Sequence, residues 1–326
     1  MSMSTLMGNA KTRQADGADT SITQKLEVLT LPLPPRLPQP PPPVVGDYAL
    51  VAQLARGGMS GVYLGQHLRT GARVAIKLLA DQWVGHGGVV ARLLEEHRLA
   101  QRIAHAGVVR VDLAARTDDG VPYLVMELVD GENLGGLLER GPLEVGAVAA
   151  IGAQVADAMA AVHAAGLVHC DVKPDNLMLL YREGLAGWPA VKVVDFGVTR
   201  AVGTVIDEIA GTPGYMPPEQ WSGHAEPRTD VYALGCTLYE LLTGAPPFEG
   251  TLHQVRSAHC DRLPVPPSGR RPIPEALDRL IMRMLAKDLR LRPRMDEVAR
   301  TLADLAFATP PGALPADLLE PVRAIA

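Results

Sequence analysis

VHCDVKPDNLML, Val168 to Leu179, decides how this chain is read. Asp171 is followed two residues later by Lys173 and five residues later by Asn176. That spacing can set a base, a phosphate clamp and a metal ligand around one transferring phosphoryl group. Cys170 stands directly before the acid, where loops of this pattern carry an arginine.

The flanking sequence supplies the other parts that such a reaction needs. Downstream, VVDFG (Val193 to Gly197) offers a second acid, Asp195, after apolar residues. Asn176 and Asp195 are oxygen donors of the kind that suits Mg²⁺, a hard ion that keeps waters and phosphate oxygens in its shell. Upstream, LARGGMSGVY (Leu54 to Tyr63) lies between two expected strands. A glycine-rich strand–turn–strand can bring backbone N–H groups against phosphate oxygens, because no side chain intervenes. It is not a Walker loop, since the G-K-[ST] ending is absent. By itself any glycine-rich hairpin explains it about as well.

VAIK, Val74 to Lys77, gives that hairpin a meaning. Lys77 falls in an apolar strand, where a lysine needs an anionic partner. Glu96, on an expected helix, is the preferred partner over its neighbour Glu95, which points elsewhere on a helix.

These segments resemble the eukaryotic-like (Hanks-type) serine/threonine protein kinase family, in the style of its bacterial members. ARGGMSGV, VAIK, Glu96, HCDVKPDN, DFG, GTPGYMPPE (Gly211 to Glu219), TDVYALG (Thr229 to Gly235) and Arg292 occur in the family order. The resemblance covers roughly residues 46–305 and implies an α+β, bilobal fold. A small antiparallel lobe of five strands and one helix would sit on a larger, mainly helical lobe. It implies ATP with Mg²⁺ or Mn²⁺ and transfer to protein Ser/Thr hydroxyls. Asp171 would accept or orient the hydroxyl proton, Lys173 would neutralise the γ-phosphoryl, and Asn176 and Asp195 would hold metal. The nucleotide would meet Leu54, Ala55, Gly57, Gly58, Ser60 and Val62 of the hairpin, with Lys77 and Glu96 at its phosphates. Ala75, Val62 and Met178 would enclose the adenine, Met126 would be the gatekeeper, and backbone groups of Glu127 and Val129 would pair with the base. In the glycine pattern, Ala55 takes the first position and Ser60 the third, a departure from the strict form.

Further roles follow from the same resemblance. Thr212 would bond Asp171 and Lys173 and favour a short alcohol, while Glu219 and Arg292 would tie down the activation segment. Asp230 would hold the catalytic-loop backbone. Thr199 and Thr204 are candidate phosphosites. Cys170 is neutral and a poor donor, so it cannot bind an activation-segment phosphate as arginine does. Activity is therefore expected not to depend strongly on phosphorylation of Phe196–Gly211, where Asp207 and Glu208 already supply negative charge. A redox role for Cys170 and a tolerated small replacement are both open. An ATP-binding pseudokinase scaffold and a small-molecule kinase of related fold are the competing functions.

Composition bounds the rest. At 326 residues the chain can build two lobes with real cores, and 47% hydrophobic content supports a folded body. Aromatics are only 4%, so aliphatic and alanine packing must fill those cores. A net charge of −5 argues against a nucleic-acid partner. No membrane span is expected, and Cys170, Cys236 and Cys260 show no pairing pattern, which fits a cytoplasmic setting. Residues 1–43 read as disordered and end in LPLPPRLPQPPPP. That run is a spacer in the plain reading, and in the sharper one residues 31–43 are a ligand for a proline-recognising partner. Residues 44–305 form the expected kinase domain, with lobes at about 46–128 and 131–305, followed by a short tail, 306–326.

Overall fold

The computed structural model describes residues 43–205 and 210–309. The proline-rich segment, Asp207, Glu208 and most of the C-terminal tail lie outside the described residues.

The small lobe is one antiparallel sheet. Its strands are β1 (Val44–Val45), β2 (Tyr48–Arg56), β3 (Ser60–His67), β4 (Arg73–Leu79), β5 (Val111–Arg116) and β6 (Pro122–Glu127). Their order is β1-β2-β3-β4-β6-β5. Six strands replace the expected five. The addition, β1, folds straight back on Tyr48 and Ala49 through a turn at Gly46. Gly46 has φ 53°, and a Cβ there would lie 2.2 Å from the Tyr123 hydroxyl. Such a short strand depends on that long-range contact, so its sequence gives little sign of it. The residues just before β5 leave the sheet, whose strand begins only at Val111. Val108 instead bridges Val193, and Val109 N–H donates to Val193 O at 2.9 Å.

Alternation in the sheet decides where Lys77 points. Ile76 on β4 and Tyr123 and Val125 on β6 pack with Val45 and Leu50 on one face. Ala75, Leu79, Leu124 and Met126 pack on the other, with Val90, Leu93 and Leu99 of helix α1 (Gly87–Ala100). Side chains alternate with period two, so Lys77 shares the face of Ala75 and Leu79 and meets α1. The buried stripe of α1 is Val90, Leu93, Glu96, Leu99 and Ala100; Ile103 falls past the helix end.

The large lobe begins with strand β7 (Gly131–Asn133) and helix α2 (Leu134–Leu138), then the long helix α3 (Val145–Ala164). By length and composition α3 could cross a membrane, but 67% of its apolar window is buried inside the protein. It packs against α4 (Pro227–Thr243) and α7 (Met295–Ala308), with α5 (Leu252–Asp261) and α6 (Glu275–Met284) completing the helices. Between α3 and α4 run the strands β8 (Leu167–Val168), β9 (Leu177–Glu183), β10 (Pro189–Val193) and β11 (Arg200–Ala201). β9 and β10 pair antiparallel with Val193 opposite Leu177. That register brings Asn176, just before β9, beside Val194, just after β10; Val194 N–H donates to Asn176 O at 2.9 Å.

Candidate active site

Lys77, on β4, lies 2.8 Å from Glu96 of α1 and 2.8 Å from Asp195. Its side chain is 11% exposed, that of Glu96 is 3% exposed and that of Asp195 is 46% exposed. Burial works against the Lys77 charge, yet the two carboxylates outweigh it and raise the pKa. Burial raises the Glu96 pKa. For Asp195 burial acts upward too, but the Lys77 ammonium and the Gly197 N–H bring it down to about 2. Asp195 is thus an anion that faces the cleft at any ordinary pH. Glu95 is turned outward and bonds Arg98 at 2.6 Å.

The backbone is specialised at two turns beside the cleft. Cys170 and Asp195 adopt φ of 67° and 64°. Left-handed non-glycine residues of this kind cost about 1–3 kcal/mol and persist where the surroundings over-determine them. Around Cys170 those surroundings are visible. The fully buried carboxylate of Asp230 accepts the N–H groups of His169 and Cys170, both at 2.8 Å, and contacts His163 Nε2 at 2.8 Å. Phe196 is 1% exposed and stacks edge-on against His169, which joins the two turns. A Cβ on Gly197 would crowd the Asp195 carboxylate at 3.1 Å and touch the Lys77 ammonium at 3.5 Å, so glycine keeps that corner open.

The catalytic-loop side chains converge. Asp171 accepts from Thr212 Oγ1 at 2.6 Å and from Asn176 Nδ2 at 3.0 Å. Lys173 lies 3.0 Å from Asp171 and donates to Thr212 Oγ1 at 2.5 Å. Asn176 keeps its side-chain carbonyl for another partner, since its amide serves Asp171. Asn176 Oδ1 and the Asp195 carboxylate, on segments joined by the Val194–Asn176 bond, are hard oxygen donors that fit a divalent cation held together with phosphates.

A cavity of about 200 Å³ lies among Gly57, Gly58, Met59, Ser60, Lys77, Asp171 and Asp195. The hairpin closes as a tight turn, with Gly57 N–H donating to Ser60 O at 2.9 Å. Ala55 pairs with Val62 across it, and Leu54 is 47% exposed. Val62 stands opposite Lys77 and Ala75 opposite Met126, which is buried. Met178, on β9, pairs with Asn133 and Lys192, and Val129 packs against the main core. The Glu127 N–H is committed to Arg110 O at 3.0 Å, which leaves only its carbonyl for a base edge. Its carboxylate bonds Lys192 at 2.5 Å, a contact the sequence did not suggest.

The activation segment is tied down by long-range bonds. Arg292, buried beside Tyr232, meets Glu219 at 2.6 and 2.9 Å. Gln220, another residue that sequence reading missed, donates to the carbonyls of Cys170 and Ala210, both at 2.8 Å. It follows the P-P-E segment directly, which was the only signal. Thr199 does not suit the role of phosphosite in this conformation: it is 2% exposed and its hydroxyl is buried without a partner. Thr204 is half-buried and donates to Ala201 O at 2.7 Å. Cys170 is 4% exposed beside Val168 and Ala225, and burial pushes its thiol pKa up, which disfavours a reactive thiolate.

Comparison with known proteins agrees with this geometry. Serine/threonine-protein kinase Pkn1 of Myxococcus xanthus is 43% identical over 74% of this chain and 36% of its own length. Pkn3 of the same organism is 35% identical over 77% of this chain and 48% of its own length. PknL of Mycobacterium tuberculosis is 42% identical over 62% of this chain and 51% of its own. The chain therefore spans about a third to a half of the curated relatives it matches. Residues 48–302 match the protein kinase domain, and the chain belongs to that family.

Proposed function

We propose that this protein is an ATP-dependent serine/threonine protein kinase. The observation that supports this best is the convergence of Asp171, Lys173, Asn176 and Thr212 opposite a Lys77 held by Glu96 and Asp195. Phosphoryl transfer runs through a loose transition state, so positioning and charge neutralisation supply most of the catalysis. Bound Mg²⁺ neutralises charge on the phosphates. Asn176 and Asp195 would hold it, and Lys77, fixed by Glu96, would orient the α- and β-phosphates. Asp171 orients the incoming hydroxyl and takes its proton, while Lys173 offsets charge on the transferring group. Thr212 bridges Asp171 and Lys173, leaving room for a short alcohol; this supports Ser/Thr over Tyr.

The names of the relatives point the same way, towards protein substrates bearing Ser or Thr. No feature of the described site favours a nucleotide-binding scaffold or a small-molecule kinase. Cys170 is buried with Val168 and Ala225, and its neutral thiol cannot itself bind an activating phosphate as an arginine at that position would. We therefore extend the proposal to activity that does not depend on activation-segment phosphorylation. A cytoplasmic kinase domain fits the three free cysteines. Residues 31–43 remain a candidate ligand for a proline-recognising partner.

The test is a peptide series that differs only in the acceptor. Radiolabel from ATP should enter Ser and Thr peptides at least tenfold faster than the Tyr peptide. Equal labelling of Tyr contradicts the hydroxyl selectivity, and labelling of none contradicts the proposal.

A further inference from the structure

Trp83 lies between β4 and α1, half-buried against the main core. Its indole N–H donates to the carbonyl of Gly58, at the tip of the glycine turn, at 3.2 Å. The neighbouring Met59 carbonyl accepts Ala80 N–H at 2.9 Å. The same short segment continues as a chain of backbone bonds: Trp83 N–H to Ala80 O, His86 N–H to Trp83 O, and Val90 N–H to His86 O. Val90 belongs to α1, the helix that presents Glu96 to Lys77. The turn, the inner face of α1 and both acids, Asp171 and Asp195, line one cavity.

The bond has a geometric consequence. A trans peptide holds its C=O and N–H antiparallel. Fixing the Gly58 carbonyl on Trp83 therefore aims the Met59 N–H the opposite way. A Cβ at Gly58 would meet no atom within 4 Å, so packing around that residue does not hold the peptide plane. A free glycine peptide would be expected to populate the flipped orientation as well, which offers phosphate a carbonyl instead of a donor.

We propose that Trp83 is a positioning residue for nucleotide phosphates: its indole pins the Gly58–Met59 peptide so that the glycine turn presents the Met59 N–H as a donor, and it links that turn to the helix bearing Glu96. This rests on the reading of the cleft as a nucleotide site. Trp83→Phe keeps an aromatic ring and removes the donor. Titration with MgATP and, separately, with adenosine distinguishes positioning from a general loosening of the lobe, because adenosine carries no phosphate. The variant should bind MgATP at least threefold more weakly, the scale of one modest hydrogen bond. Its adenosine affinity should stay within twofold. A smaller loss for MgATP, or an equal loss for both ligands, overturns the inference. If unfolding curves show that the phenylalanine variant does not fold, Trp83→Leu makes the same comparison. Should the unsubstituted protein bind neither ligand, the nucleotide reading fails and the inference with it. If it binds both and the variant matches it, the inference alone fails.

Discussion

Two lysines mark the two ends of the cleft. Lys77 sits on a central strand, meets two carboxylates at 2.8 Å, and answers to a helix in its own lobe. Lys173 sits on a loop, is 19% exposed, and shares one threonine hydroxyl with Asp171. The first end pairs a buried strand lysine with a buried helix glutamate, and only Asp195 reaches it from a loop. The second is a partly open hydrogen-bond network whose loop is held from behind by Asp230. Sites on strands and helices are placed more firmly than sites on loops, so the second end needs its buried anchor. The contrast suggests a division of labour: a stiff nucleotide end, and a hydroxyl end that can admit a polypeptide.

The strongest way to break this contrast is Lys77→Met. It strands Glu96, which is nearly fully buried, without a counter-charge. Breaking a buried pair in this way costs about 3–5 kcal/mol. Chemical denaturation should show that loss, with MgATP affinity falling alongside it; an unchanged midpoint would mean that Glu96 finds another partner.

At the other end Thr212→Ala removes one hydroxyl that serves both Asp171 and Lys173. Hydrogen bonds to charged groups contribute about 1.5–3 kcal/mol, so kcat should fall roughly tenfold or more while nucleotide affinity holds. Thr212→Ser should restore most of the rate. Loss of nucleotide affinity instead would erase the proposed boundary between the two ends.

Acid should weaken the nucleotide end in a defined window. The Asp195 pKa is lowered from 3.8 to about 2, so its contribution to stability is present above pH 3.8 and is lost as pH falls towards 2. Because its carboxyl is 46% exposed, roughly 1 kcal/mol is expected, less than the shift alone implies. Asp195→Asn should flatten that limb of the stability curve, and an unaltered limb would assign it to other carboxylates. The smallest effect is expected at Thr199 and Thr204. Their double replacement by alanine should change peptide phosphorylation by less than about tenfold. A larger loss would contradict independence from activation-segment phosphate.

Local chemistry explains what the sequence made legible. Asp171, Lys173 and Asn176 are close along the chain because one loop must gather them, and Glu96 over Glu95 followed from helix geometry. Lys77 in an apolar strand likewise called for an anionic partner, and Glu96 supplies it. Contacts between distant segments were hidden. β1 depends on Gly46 fitting against Tyr123, 77 residues away. Val108 leaves the sheet for Val193, and the Trp83 bond to Gly58 joins segments with no shared motif. Helix α5 is weakly marked in the sequence, apart from the capping box that Thr251 and Gln254 form at its start. Its mixed polar composition gives only a weak apolar stripe.

The most direct test of the central claim compares the unsubstituted protein with Asp171→Ala, measuring MgATP affinity and radiolabel transfer to a serine peptide. The account predicts nucleotide affinity within about twofold and transfer reduced by roughly 10²–10⁴, the usual range for removal of a general base. Equal transfer by both proteins, or no transfer by either despite nucleotide binding, would contradict it.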